Sequence, residues 1–422
     1  MLQSMRFICL LLCTISFSQL QAQDDIYINK ANYPFIRTVE LRRVDLTLAP
    51  PAVEINTGDQ LRLSFDDLSG VAKSYYYTFI HCNQDWSASD LNHYEFLDGF
   101  EENYISEFAY SFATSTKYVH YNIDFPNQDV KFKVSGNYII QIWDQNNDTM
   151  PVITRRFYVF ENLVPVNAGI VRPNVVANRM EYQKIEFTLD LKTISVNNPY
   201  ELIKVSVIQN GISERGMYNL KPRLIQNNLM IYDDNNQVFS ALKEYRRFDT
   251  RTLKFQTDRI IKIDRRPEIT NVFINIDESR GYKQYFYEKD MNGNFVIMAD
   301  LTNDPNVEAD YAMIHFTLEY PYWLNNGNFY VVGGFNDYAI TEENKMKYDF
   351  DLQQYSSQLF LKQGYYNYMY VFIPNTDSTF DFSYAEGNYF ETENEYTVFV
   401  YLHSYERNHD TLVGYKSLSS YK

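Results

Sequence analysis

Ser74-Tyr-Tyr-Tyr-Thr-Phe-Ile-His-Cys-Asn-Gln-Asp-Trp-Ser-Ala-Ser-Asp-Leu-Asn-His-Tyr-Glu-Phe-Leu-Asp-Gly-Phe100 is the stretch on which the reading of this chain turns. From Tyr75 to Ile80 it is a run of aromatic and β-branched residues, which predicts a strand. Asn83–Asp85 predicts a polar turn, and Trp86 then anchors the following Ser/Asp-rich loop. Gly99 is expected to let the chain turn before Phe100. The stretch also holds His81, Cys82 and His93, so any chemistry in the chain is first sought here.

The same alternation recurs outside it. Leu61, Leu63 and Phe65 alternate with Arg62 and Ser64, the period of a half-buried antiparallel strand. Val134–Trp143 and Val152–Phe160 predict a hairpin around the turn Asp144–Asp148. Lys184–Leu191 and Glu201–Gln209 repeat the pattern, and Asn210-Gly211 closes the second on a tight turn. Only Val238–Tyr245 reads as a short helical turn. Aromatic residues are 17% of the chain, with 38 Tyr and 30 Phe. The expected fold is all-β: tandem antiparallel β-sandwich domains of the immunoglobulin-like or early-set kind. The expected boundaries are a signal peptide at 1–22, a first domain at 24–160, a linker at 161–174, a second domain at 175–266 and a third at 267–422.

Arg6, the apolar run Phe7–Phe17 and Leu20-Gln-Ala22 predict a cleavable export signal, so an exported, soluble protein without a lipid anchor is expected. Cys9 and Cys13 leave with that signal, and Cys82 alone cannot form an intrachain disulfide. The formal charge of −16 excludes a basic footprint for nucleic acid. The six histidines show no zinc spacing, and Asp144–Asp148 lacks the Gly and Glu of a calcium loop. No phosphate loop, nucleophile elbow or Ser/His/Asp signature is present. The expectation is a non-enzymatic protein without cofactors. In the Tyr-rich strand Tyr365–Tyr370, Tyr366 and Tyr368 share a face with Tyr370. One face of that strand is expected in the core and the other as a contact surface.

The segment Tyr77–Ser89 with Glu95–Phe100 resembles the N-terminal signature of the type IX secretion system plug protein family of Bacteroidota. His81, Cys82, Trp86, Ser89, Gly99 and Phe100 carry that resemblance. Gln209, Asn210 and Gly211, with Glu244, Arg246, Phe248 and Asp249, resemble the family's second block. The resemblance implies a periplasmic plug that closes the outer-membrane translocon barrel of that system. Tyr330–Tyr338 and Leu361–Val371 are similar to early-set domains that include glycogen- and starch-binding modules. Tyr338 stands where those modules place a sugar-stacking aromatic, usually Trp. The likeness implies the fold more than sugar binding, and an exported carbohydrate-binding protein is the alternative function.

Overall fold

Alternation with a period of two makes strands with one face to bury, and such strands are stable only when two sheets close over a shared core. That happens three times along the chain. The computed structural model describes residues 27–420; the expected signal peptide, with Cys9 and Cys13, lies outside the described residues.

In the first unit one sheet runs Lys30–Ala31, Ile153–Phe160, Gly136–Asp144, Tyr75–Cys82, Asn103–Tyr104, with Ala52–Glu54 added parallel to Ile153–Phe160. The facing sheet runs Ile36–Arg43, Leu61–Asp67, Val119–Phe125, Glu107–Tyr110. Leu61, Leu63 and Phe65 enter the core between them, against Tyr77, Phe79, Ile140 and Phe157. The expected hairpin forms as Gly136–Asp144 against Ile153–Phe160.

The second unit pairs Val166–Val171, Tyr182–Asp190, Leu229–Tyr232 and Leu224–Gln226 in one sheet. The other contains Ile212–Met217, Ile203–Gln209, Glu395–Ser404 and His409–Ser419. Asn210 and Gly211 both take positive φ, 51° and 70°, the geometry of a two-residue hairpin turn. Three local expectations change here. Val166–Val171, inside the expected linker 161–174, is a strand on Tyr182–Asp190. Val238–Ser240 pairs with Tyr182–Lys184 instead of turning as a helix, because a β-branched and an aromatic residue meet an open strand edge. The last two strands, expected within a third block 267–422, join the second unit: Glu395–Ser404 lies between Ile203–Gln209 and His409–Ser419, and Tyr396, Val398 and Val400 fill that core.

The third unit begins earlier than 267. Arg246–Asp249 pairs with Gly364–Pro374, and Ile260–Arg265 with Thr270–Ile274. Its sheets are Ile260–Arg265, Thr270–Ile274, Tyr311–Glu319, Gln354–Lys362, Lys347–Asp349 on one side and Arg246–Asp249, Gly364–Pro374, Phe295–Ile297 on the other, with Gly327–Val332 also on Gly364–Pro374. Tyr366, Tyr368 and Tyr370 enter the main core, while Met369 and Val371 enter a second cluster with Leu242, Tyr245 and Ile212. Both faces of the Tyr-rich strand are therefore buried from Tyr366 to Phe372, with Tyr365 half-buried, and the expected exposed contact face is not found along that run. The second cluster also joins the second and third units.

Deleting residues 394–420 should unfold the second sandwich and leave the third protected. Limited proteolysis is expected to cut within 166–240; new cuts confined to 250–380 would contradict this strand assignment.

Candidate functional site

Strand Tyr75–Cys82 ends in a tight corner. The Trp86 N–H donates to the Asn83 carbonyl at 2.9 Å and the Asn83 N–H to the Ser87 carbonyl at 2.8 Å. Trp86 takes a left-handed φ of 68°, uncommon for a non-glycine residue. Its ring lies on the outer face of the sheet with Cys82 and Ile139, under the Arg156 guanidinium at 4.4 Å and edge-on to Tyr158. The ring is buried there.

His81 is buried. Its Nδ1 lies 2.9 Å from Ser89 Oγ and its Nε2 3.2 Å from the Ser135 carbonyl. A ring nitrogen facing a carbonyl must be the N–H, and in the neutral ring Nδ1 then accepts from the Ser89 hydroxyl. Burial lowers its pKa to about 4. Gly136 makes the space: a Cβ there would sit 2.3 Å from Nε2, and its φ is 158°. Cys82 has no exposed surface, and burial pushes its thiol up to about 12. Such a group is a small apolar filler, not a nucleophile. Gly99 does not turn the chain as expected. It ends strand Leu97–Gly99 against Val130–Phe132 with φ 141°, where a Cβ would lie 2.0 Å from the Asp129 carbonyl oxygen. Phe100 beyond it is 77% exposed.

The corner is a joint between units. The Gln84 N–H donates to Asp410 Oδ2 at 3.0 Å, and Asn83 Oδ1 accepts the Asp410 N–H at 3.1 Å. Gln84 Nε2 reaches Ser206 Oγ at 2.5 Å, and the Tyr401 hydroxyl reaches Asn137 Oδ1 at 2.7 Å. Asp410 is wholly buried, with Lys204 Nζ at 2.9 Å and His403 Nδ1 at 2.7 Å. Burial alone would raise its pKa; the Gln84 N–H, the Lys204 ammonium and His403 outweigh it and hold the carboxyl low.

The second block builds the opposite end. Gln209 donates to the Ser240 carbonyl and the Tyr396 hydroxyl, each at 3.0 Å, and accepts from Arg215 Nε at 2.9 Å. Asn210 donates to Asn394 Oδ1 and accepts the Glu395 N–H, both at 2.8 Å. Glu244 accepts the Tyr285 hydroxyl at 2.5 Å, and burial raises its pKa. Arg246, inside the third unit, binds Asp277 at 2.8 Å and Glu386 at 3.0 Å. Tyr368 and Tyr370 donate to the same Asp277. Burial opposes the charge on Glu386, yet Arg246 and Arg280 hold its pKa at about 2. Phe248 stacks on Tyr366 with centroids 5.0 Å apart, and Asp249 pairs with Arg251 at 2.7 Å.

A third joint, which no sequence pattern marked, ties the first unit to the third. Buried Asp66 meets Lys362 Nζ at 2.6 Å, the Tyr311 hydroxyl at 2.7 Å and His120 at 2.7 Å. The Tyr118 hydroxyl donates to the Ala309 carbonyl at 2.8 Å. Arg155 pairs with Asp337 at 3.0 Å beside a cavity of about 640 Å³ that all three units line. Tyr338 lines it too, buried, its hydroxyl 2.9 Å from that of Tyr245. A sugar-stacking platform needs an exposed ring, and Tyr338, Tyr366 and Tyr368 offer none. Among the described residues no three His, Cys, Asp or Glu are placed to hold a metal ion.

Residues 36–161 match the family model described as the type 9 secretion system plug protein first domain. The crystal structure of a hypothetical protein from Parabacteroides merdae is 32% identical, covers 93% of this chain and 99% of its own, and superposes with a TM-score of 0.90. The Escherichia coli adhesin FdeC matches over 51% of this chain and 59% of its own at 10% identity, with a TM-score of 0.17. No curated protein matches the chain.

Because the folded His81 has a pKa depressed from 6.5 to about 4, the unfolded chain takes up a proton first as pH falls. Its contribution is complete above 6.5 and is lost towards 4, on the order of 3 kcal/mol. Urea titrations at pH 7 and 4.5 should show this loss, and His81→Asn, weaker at pH 7, should lose less over the same interval. An equal loss in both proteins would contradict the assignment.

Proposed function

This chain belongs to the type 9 secretion system plug protein family, and we propose that it closes the periplasmic mouth of the outer-membrane translocon barrel when no substrate carrier is docked. The family is a secretion-system plug family, not an enzyme family. The observation that carries the reading is the match over residues 36–161, which contains the His81–Trp86 corner.

The physical properties of the chain support the finer role. A plug for a wide pore must resist deformation, and here buried polar joints tie the first sandwich to the second and to the third, an apolar cluster joins the second to the third, and Cys82, the one cysteine among the described residues, is free. It must also hold and release, which suits exposed aromatic anchors set in a polar rim. Trp323 and Phe350, with centroids 5.7 Å apart beside exposed Tyr322 and Leu352, form such a group on two loops of the third unit. Periplasmic residence follows from the same proposal.

The test is affinity purification of the translocon barrel from cells lacking its carrier subunit. This protein should be recovered in near-equal amount with the barrel. Repeated absence from a barrel that is itself intact would overturn the proposal.

A further inference from the structure

The first sandwich exposes an edge strand that is hydrogen-bonded on one side only. Asn103–Tyr104 borders one sheet, paired with Tyr75–Cys82, and Glu107–Tyr110 borders the other, paired with Val119–Phe125. The Ser111 N–H donates to the Tyr118 carbonyl at 2.9 Å. Antiparallel ladders alternate, so the amides of Ala109 and Glu107 face inward and those of Phe108 and Tyr110 outward. Phe112, next in the outward phase, has its N–H taken by the Val307 carbonyl of the third unit at 2.8 Å. Among the described residues no backbone carbonyl outside the strand meets Phe108 or Tyr110.

The side chains make this edge unusual. Every residue of Glu107–Tyr110 is exposed, and Phe100, Tyr104, Phe108, Tyr110 and Phe112 are 47–77% exposed. Edge strands are ordinarily blunted by lysine, proline or a bulge, and Glu107–Tyr110 carries no lysine or proline and pairs in unbroken register. All charges between 98 and 110 are negative: Asp98, Glu101, Glu102 and Glu107, each exposed; across the ladders Asp98 faces Lys131 and Glu107 lies near Arg62, while Glu101 and Glu102 stand in the intervening loop.

We propose that the Glu107–Tyr110 edge is a strand-addition site for an extended, cationic segment of a partner polypeptide. The carbonyls of the added strand accept the free Phe108 and Tyr110 N–H groups. Its alternate apolar side chains lie beside Phe108 and Tyr110, and its lysines or arginines meet a stretch whose exposed charges from 98 to 110 are all carboxylates. A second copy of this chain is a poor occupant, since the same acidic edge would face itself on a molecule of net charge −16. The inference deepens the plug proposal by naming where a partner strand engages, but its first test does not depend on that proposal.

The probe is a fluorescent peptide of about eight residues alternating Lys and Val, titrated into the full mature chain to about 1 mM. Saturable binding is expected, with slowed amide exchange at Phe108 and Tyr110, and an alternating Glu-Val peptide should bind at least about ten-fold more weakly. Phe108→Pro removes an outward N–H without touching the ladder, and Tyr110→Lys keeps every backbone bond but repels the probe. Each should melt close to wild type and weaken binding about ten-fold. Absence of saturable binding, equal binding of the Glu-Val peptide, or undiminished binding by both variants overturns the inference, as does dimerisation through this edge. If the translocon co-purifies while the peptide does not bind, the strand-addition site falls and the plug proposal stands; peptide binding without co-purification gives the reverse.

Discussion

Asp410 is a carboxylate with no access to water, and the arrangement of this protein follows from what it requires. A buried charge is tolerated only when donors surround it. Here they come from three stretches far apart in sequence: the Gln84 N–H of the first unit, Lys204 of a central strand in the second, and His403 of the neighbouring C-terminal strand. The corner Asn83–Trp86 is thereby fixed to the last hairpin of the chain. That hairpin in turn completes the core of the second unit. The first and second units therefore cannot separate without stripping the Gln84 N–H from a buried carboxylate, which keeps only Lys204 and His403 of its own unit.

Asp66 repeats the device between the first and third units, with Lys362 1% exposed beside it. Tyr338 and Arg155 line the cavity left where the three units meet. Buried ion pairs of this kind add little net stability over an apolar core of equal volume, but breaking one is costly. They specify one arrangement of the units. For a body that has to seat in a pore, one arrangement matters more than an extra increment of stability.

Much of the fold was legible in the sequence. Leu61, Leu63 and Phe65 announce a half-buried strand, and Asn210-Gly211 announces its hairpin, because both signals are local. The placement of Glu395–Ser404 was not legible: its alternation fits any open sheet edge, and only packing against Ile203–Gln209 decides among them. Strand Gly364–Pro374 shows a different limit. A near-continuous apolar and aromatic run such as Tyr365–Phe372 is the mark of a strand buried on both faces, and reading it as one-sided led to an expected contact surface that the structure lacks. Asp66, Lys362, Asp410 and Glu386 gave no signal, since an isolated charged residue ordinarily lies at the surface. The corner residues His81 and Cys82 carry the signature, but the joint beside them is made by Asn83 and Gln84 and depends on Asp410, more than 300 positions away.

The central claim is that buried polar joints lock three sandwiches into one rigid body. Spin labels at Gln128→Cys in the first unit and Leu352→Cys in the third, both exposed, report it directly, since Cys82 is buried and inert to labelling. Double electron–electron resonance should give a single narrow distance distribution that broadens when Asp66→Asn and Asp410→Asn are combined. A broad or multimodal distribution in the protein with both joints intact would contradict the account.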